Sequence, residues 1–146
     1  MTRFTMPVAV HLFLVREGRV LLLRRANTGY EDGSYSTIAG HLDGGETVVA
    51  AARREAAEEA GIALDAGDVR VVGVLHCLDG DEYFHTFVAA ERWRGEIVNR
   101  EPGKCDDLSW FPLDALPGNT IPYVRRAIEN YRAGRWFESF GFPPAP

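Results

Sequence analysis

Three glutamates, Glu55, Glu58 and Glu59, stand at i, i+3 and i+4 in a stretch rich in Ala, Glu and Arg. On a helix, that spacing sends their carboxylates from one face within a few ångströms of each other. Two carboxylates ~4 Å apart at an effective dielectric near 20 repel by about 4 kcal/mol, so such a cluster holds protons or recruits a cation. Hard oxygen donors suit Mg²⁺ or Mn²⁺, and Mg²⁺ shares its shell among carboxylates, waters and substrate phosphates. Glutamate is also ordinary on solvated helix faces, and Arg53 and Arg54 can offset the charge, so the surroundings decide. Upstream, Gly40-His41-Leu42-Asp43-Gly44-Gly45-Glu46 is a glycine-rich turn feeding the helix N-terminus. Free N–H groups and the helix dipole favour an anion there. A phosphate cradle and a cation platform fifteen residues apart point to chemistry on phosphates.

The elements that must position these groups are legible around them. Residues 7–15 (PVAVHLFLV) and 20–23 (VLLL) flank the polar turn Arg16-Glu17-Gly18-Arg19 and read as a hairpin. Arg24 to Ser36 loses periodicity and gathers Asn, Gly, Asp and Ser, the mark of an exposed loop. The helix runs from Thr47, an N-cap, to Ala60, with Gly61 at C′. Val69 to Cys77 and Tyr83 to Ala90 form a second hairpin around residues 78–82, and Leu108 to Phe111 adds a short strand. A second helix opens on Thr120 as N-cap with Pro122 at its first position and stops at Gly134. The tail, Arg135 to Pro146, carries Trp136, Phe137, Phe140 and Phe142, too aromatic for a disordered end, and is expected on the core or on a partner.

Gly40, five residues, Glu46, seven residues, then Arg54-Glu55-Ala56-Ala57-Glu58-Glu59-Ala60-Gly61-Ile62 resembles the complete Nudix box. All seven fixed positions match, and Ala56 stands where the family tends to carry a larger aliphatic residue. The resemblance implies an α/β fold, the Nudix-type α/β/α sandwich with a mixed β-sheet, as a single domain over residues 1–146. It implies that Glu55, Glu58 and Glu59 bind Mg²⁺ (or Mn²⁺), with the Ala39 carbonyl as an extra ligand. Glu46 and Arg54 would pair to fix the loop against the helix. The reaction implied is hydrolysis of a diphosphate linkage, the metal neutralising charge and activating water. Glu58 or Glu59 is the first choice of base within the box. Among Glu101, Asp106 and Asp107, which precede Trp110-Phe111, Asp107 is the further candidate metal ligand.

Outside the box, Tyr30 and Tyr35 are candidates to stack on a base, and Asn27 to read its edge. Gly40 and His41 are candidates for substrate contact in the phosphate loop, while His76 and His85 fall in strands that can face a cleft. Neither the Cys nor the His spacing makes a tetrahedral zinc set.

Composition bounds the function. With 146 residues, 46% hydrophobic and 25% charged, the chain has the make-up of a globular domain rather than a disordered or disulfide-stapled one. A net charge of −5 without a block of like charges argues against a nucleic-acid partner. Met6 to Val15 is about half a membrane span and contains His11, so it reads as folded structure, neither a span nor a signal peptide. Two cysteines, Cys77 and Cys105, fit a reducing, cytoplasmic compartment. The expected partner is a small-molecule nucleotide, acted on by a monomer or homodimer. A nucleoside triphosphate split into monophosphate and pyrophosphate is the leading substrate. The alternatives are a nucleotide sugar such as an ADP-ribose-like compound, a dinucleoside polyphosphate, or a nucleotide sensor without turnover.

Overall fold

A computed structural model describes residues 2–146. In chain order the elements are β1 (Val8–Arg16), β2 (Arg19–Arg25), β3 (Tyr35–Ser36), β4 (Ile38–His41), α1 (Val48–Ala60), β5 (Val69–Asp79), β6 (Asp81–Ala90), β7 (Cys105–Pro112), α2 (Pro122–Ala133) and β8 (Phe137–Phe140). A short 3₁₀ turn, Ala66–Asp68, leads into β5.

The sheet is mixed. β1 runs antiparallel to β2 and β4 but parallel to β6, β5 pairs antiparallel with β6, and β8 adds in parallel to β5. β2 also pairs with β3 and β7. Alternation along β1 divides the core into two layers. Val10, Leu12 and Leu14 join Ala51, Ala52, Ala56 and Ala60 of α1, whereas Phe13 and Val15 join Val124, Ala127 and Ile128 of α2. The chain is therefore an α/β/α sandwich around a mixed sheet.

Helix α1 forms where its local signals place it. The Thr47 side chain accepts from the Ala50 amide at 3.0 Å, and Gly61 takes the left-handed φ of 68° that ends the helix. Apart from Glu55 its buried face is alanine, and Ala56, where the family tends to carry a larger aliphatic residue, is fully buried.

Four readings change. The turn of the second hairpin tightens to a single glycine, with Asp79 and Asp81 paired across Gly80. Ile121, not Thr120, is the N-cap of α2, while the Thr120 hydroxyl donates to the Pro117 carbonyl at 2.7 Å. β3 and β4 lie in segments read as loop and turn. In the tail, β8 joins the sheet and Phe140 packs on the α2 layer, but Trp136 and Phe137 stay exposed. No helix among the described residues is long and apolar enough to cross a membrane.

Candidate active site

A cleft of about 780 Å³ opens between α1, β4, the hairpin β5–β6 and the loop before β7. One end is acidic. Glu55 and Glu59 of α1 line it beside Ala39 and Gly40 of β4, and Glu101 faces them from the loop. β4 is antiparallel to β1, with Gly40 opposite Val10, and this pairing brings the glycine-rich segment under the helix. A Cβ on Gly40 would stand 2.0 Å from Glu55 Oε1, so only glycine leaves that carboxylate its place.

Arg54 organises the acids. Its Nη2 and Nε donate to the two oxygens of Glu46 at 2.7 and 3.2 Å, and its Nη1 donates to Glu55 Oε1 at 2.7 Å. Nη2 also reaches the His41 carbonyl at 3.3 Å. Glu46 accepts in addition from the Asp43 amide at 3.0 Å, closing the loop on itself. The fork on Arg54 and that amide hold Glu46 below the usual carboxylate range, and the same pairing raises the Arg54 pKa.

Glu59 is the buried acid. Its Oε2 accepts from the Ala39 amide at 3.0 Å. Loss of solvent, then repulsion from Glu55 and Glu101, pushes its pKa up to about 8. Burial and Glu58 raise that of Glu55, against the pull of Arg54. Glu58 itself is half exposed, 3.7 Å from Arg54, and does not line the cleft.

With Glu55 and Glu58 drawn to Arg54 and Glu59 to Ala39, no three acid, histidine or cysteine side chains among the described residues stand ready to hold a metal. The residues nevertheless fit a divalent cation. The donors at this end are all oxygen, two of the carboxylates sit where their charge is disfavoured, and the absence of a side chain at Gly40 lets the Glu55 carboxylate lie against β4. When bound, the cation would relieve the repulsion that raises both pKa values. Glu55 and Glu59 would hold it, with Glu58 reaching in from the rim.

The other candidates divide. Asn27, Tyr30, Gly40 and His41 line the cleft. Asn27 Nδ2 donates to the Gly103 carbonyl at 3.1 Å, and His41 Nε2 pairs with the Tyr83 hydroxyl at 3.1 Å. Tyr35 and Asp107 do not line it, which corrects both expectations. Tyr35 is buried in the α2 layer, its ring edge-on to Phe111, and its hydroxyl donates to Asp107. Asp107 takes a second bond from Ser109 at 2.7 Å, and these donors lower its pKa. His76 also turns away, pairing with Glu82 at 2.6 Å.

Sequence reasoning passed over several cleft residues. Arg25 and Lys104 are its cations, and Arg25 Nε donates to the Tyr30 carbonyl at 2.8 Å. His11, set in an apolar strand, forms the floor with His85: His11 Nε2 meets His85 Nδ1 at 3.0 Å and His11 Nδ1 meets Thr37 Oγ1 at 2.8 Å. Burial lowers His11 well below the usual range and His85 to about 4, so the pair is neutral. The signal for His11 was its phase, since Ala9, His11 and Phe13 share one face of β1.

Residues 5–137 match the family model described as the NUDIX domain. An NAD-capped RNA hydrolase NudC of Chromobacterium violaceum is 33% identical over 130 residues, 83% of this chain and 46% of that protein. The chain thus spans less than half the length of that relative. An oxidized purine nucleoside triphosphate hydrolase of Danio rerio is 30% identical over 122 residues, 78% of this chain and 71% of that protein. A crystal structure of a MutT NUDIX hydrolase from Burkholderia pseudomallei superposes with a TM-score of 0.79 at 32% identity, covering 86% of this chain and 98% of that one.

Proposed function

The chain belongs to the Nudix family, and on that premise we propose that it is a metal-dependent pyrophosphohydrolase converting a nucleoside triphosphate to its monophosphate and pyrophosphate. One observation carries the reading: a single cleft is lined by the carboxylates Glu55, Glu59 and Glu101, by the aromatic rings of Tyr30, Tyr83 and Tyr123, and by Arg25 as a cation. At about 780 Å³ it lies within the range of small-ligand sites and takes one nucleotide. The Danio rerio relative, named for a nucleoside triphosphate, supports the same substrate class.

The residues divide the work. Glu55 and Glu59 would hold the cation, which when bound would supply charge neutralisation at the diphosphate and a more acidic water. Arg54 orients Glu55 and ties the loop to the helix through Glu46. Arg25 and Lys104 provide fixed positive charge for the phosphates. Glu101, which lines the cleft and raises the pKa of both Glu55 and Glu59, is the acid outside the box that would take a proton from the attacking water.

The test is a hydrolysis screen of nucleoside triphosphates, dinucleotides and nucleotide sugars with Mg²⁺ or with EDTA, products identified by mass. The proposal expects monophosphate plus pyrophosphate from a triphosphate, only with Mg²⁺, and loss of turnover in Glu59→Gln. Turnover confined to dinucleotides or nucleotide sugars would move the substrate. Nucleotide binding without any turnover would make the chain a sensor.

A further inference from the structure

The wall of the cleft built by β5, β6 and α2 carries groups that diphosphate hydrolysis does not require. Alternation puts Cys77 and Asp79 of β5 on the same sheet face as Asp81, Tyr83 and His85 of β6, and all five line the cleft. Asp79 and Asp81 are cross-strand partners around Gly80, whose φ is 76°. Like charges directly opposite one another destabilise a hairpin. Neither takes part in an ion pair among the described residues.

Tyr123 of α2 gives a second and independent sign of a ligand. The residue is only 9% exposed, and its hydroxyl takes part in no hydrogen bond among the described residues. Among the described residues every side-chain nitrogen or oxygen sealed from solvent has a partner, so this hydroxyl reaches solvent, and Tyr123 lines the cleft. The Tyr123 ring stacks on His85 with centroids 4.2 Å apart, and His85 stacks on Tyr83 at 5.2 Å and 10°. The wall is thus aromatic and uncharged, His85 being engaged by His11. Arg25, the cation near it, is bonded to the Tyr30 carbonyl.

A carboxylate accepts hydrogen bonds and donates none, so Asp79 suits a ligand edge made of donors. Guanine presents two adjacent donors, N1–H and the 2-amino group, which match two carboxylate oxygens. Adenine and cytosine set an acceptor beside their amino group, and hypoxanthine lacks the amino group. We infer that this wall of the cleft reads the base of the nucleotide, with Asp79 accepting the paired N–H donors of a guanine-type edge and Tyr123 offering its hydroxyl to the base. The inference rests on the cleft being a nucleotide site, and it adds the substrate class and the residues that select it.

The test measures binding of GMP and IMP, which differ only by the 2-amino group, in EDTA by calorimetry. Wild type, Asp79→Asn, Asp79→Ala and Tyr123→Phe are compared, and kcat/KM for GTP and ITP is measured with Mg²⁺. A site built on paired donors prefers GMP by about tenfold or more. That ratio falls toward one in both Asp79 variants, and Tyr123→Phe weakens GMP binding. Equal affinity for GMP and IMP in wild type, or a preference that survives both Asp79 variants, overturns the inference while triphosphate hydrolysis stands. An Asp79-dependent preference for GMP in a protein that hydrolyses no triphosphate supports the base-reading site and removes the hydrolase proposal instead.

Discussion

Replacing Glu59 by Gln should stabilise the metal-free protein at alkaline pH while destroying its activity. In the folded chain, burial and the neighbouring Glu55 and Glu101 push the Glu59 pKa up to about 8, against an ordinary value of 4.5. Between those two values the native state binds more protons than the unfolded state, so stability falls as pH rises. The contribution of protonated Glu59 is complete below pH 4.5 and has been lost once the pH has passed through 8. At ~1.4 kcal/mol for each pH unit, the interval from 4.5 to 8 corresponds to about 5 kcal/mol. Glutamine keeps the shape, its carbonyl can accept from the Ala39 amide, and it never ionises. Its new N–H groups face other acceptors poorly and cost about 1 to 2 kcal/mol. The net expectation at pH 9 in EDTA is a Glu59→Gln protein more stable than wild type by roughly 3 kcal/mol. At pH 4 the order reverses slightly. Urea denaturation at both pH values reads the difference. Added Mg²⁺ should then stabilise wild type by mass action and leave the variant unchanged. A difference that does not vary with pH, or a wild type that remains the more stable at pH 9, would refute the account of Glu59 as a buried, strained ligand.

Gly40→Ala places a methyl 2.0 Å from Glu55 Oε1. Calorimetric titration should show Mg²⁺ affinity reduced by about tenfold or more, since displaced ligand geometry is costly. Arg54→Lys cannot reproduce the two-pronged contact with Glu46 together with the bond to Glu55. Steady-state kinetics should show kcat down by about tenfold or more with KM little changed, because orientation of the acids is what is lost. Tyr35→Phe removes the hydrogen bond to Asp107 and should cost about 1 to 2 kcal/mol in urea denaturation. Its KM should match wild type, and a raised KM would return Tyr35 to the substrate site.

What could be read in advance were the features set by near neighbours. Helix α1 depends on Thr47, Gly61 and a run of good helix formers, and the acids keep their spacing wherever the helix goes. Strands β5 and β6 announce themselves by β-branched and aromatic residues. The parts that escaped are held by distant partners. β3 is two residues long and exists because Tyr35 and Ser36 pair with Arg24 and Leu23. Taken alone, a tyrosine among Gly, Ser and Asp looks like a free stacking group, and only this pairing sends it into the core.

The same limit explains why Asp107, among the acids before Trp110, does not face the cleft. Along β7, Asp107, Ser109 and Phe111 pair with Arg24, Leu22 and Val20, and Tyr35, Phe111 and Leu22 all lie in the α2 layer. Asp107 is thereby committed to the face away from the cleft. Simple alternation would still bring Asp106 round beside Leu108. A register shift between Arg24 and Arg25 prevents this: Arg24 pairs with Asp107 and Arg25 with Cys105, leaving Asp106 as the extra residue. Asp106 turns outward to bond Arg24 at 2.6 Å, while Cys105 and Arg25 line the cleft. One irregularity thus keeps Asp106 off the cleft face, and it leaves β7 without an acid facing Glu55 and Glu59. The carboxylate opposite them comes instead from the preceding loop at Glu101. No property of the segment from Glu101 to Trp110 encodes that outcome by itself, because the register is fixed by a strand some eighty residues earlier.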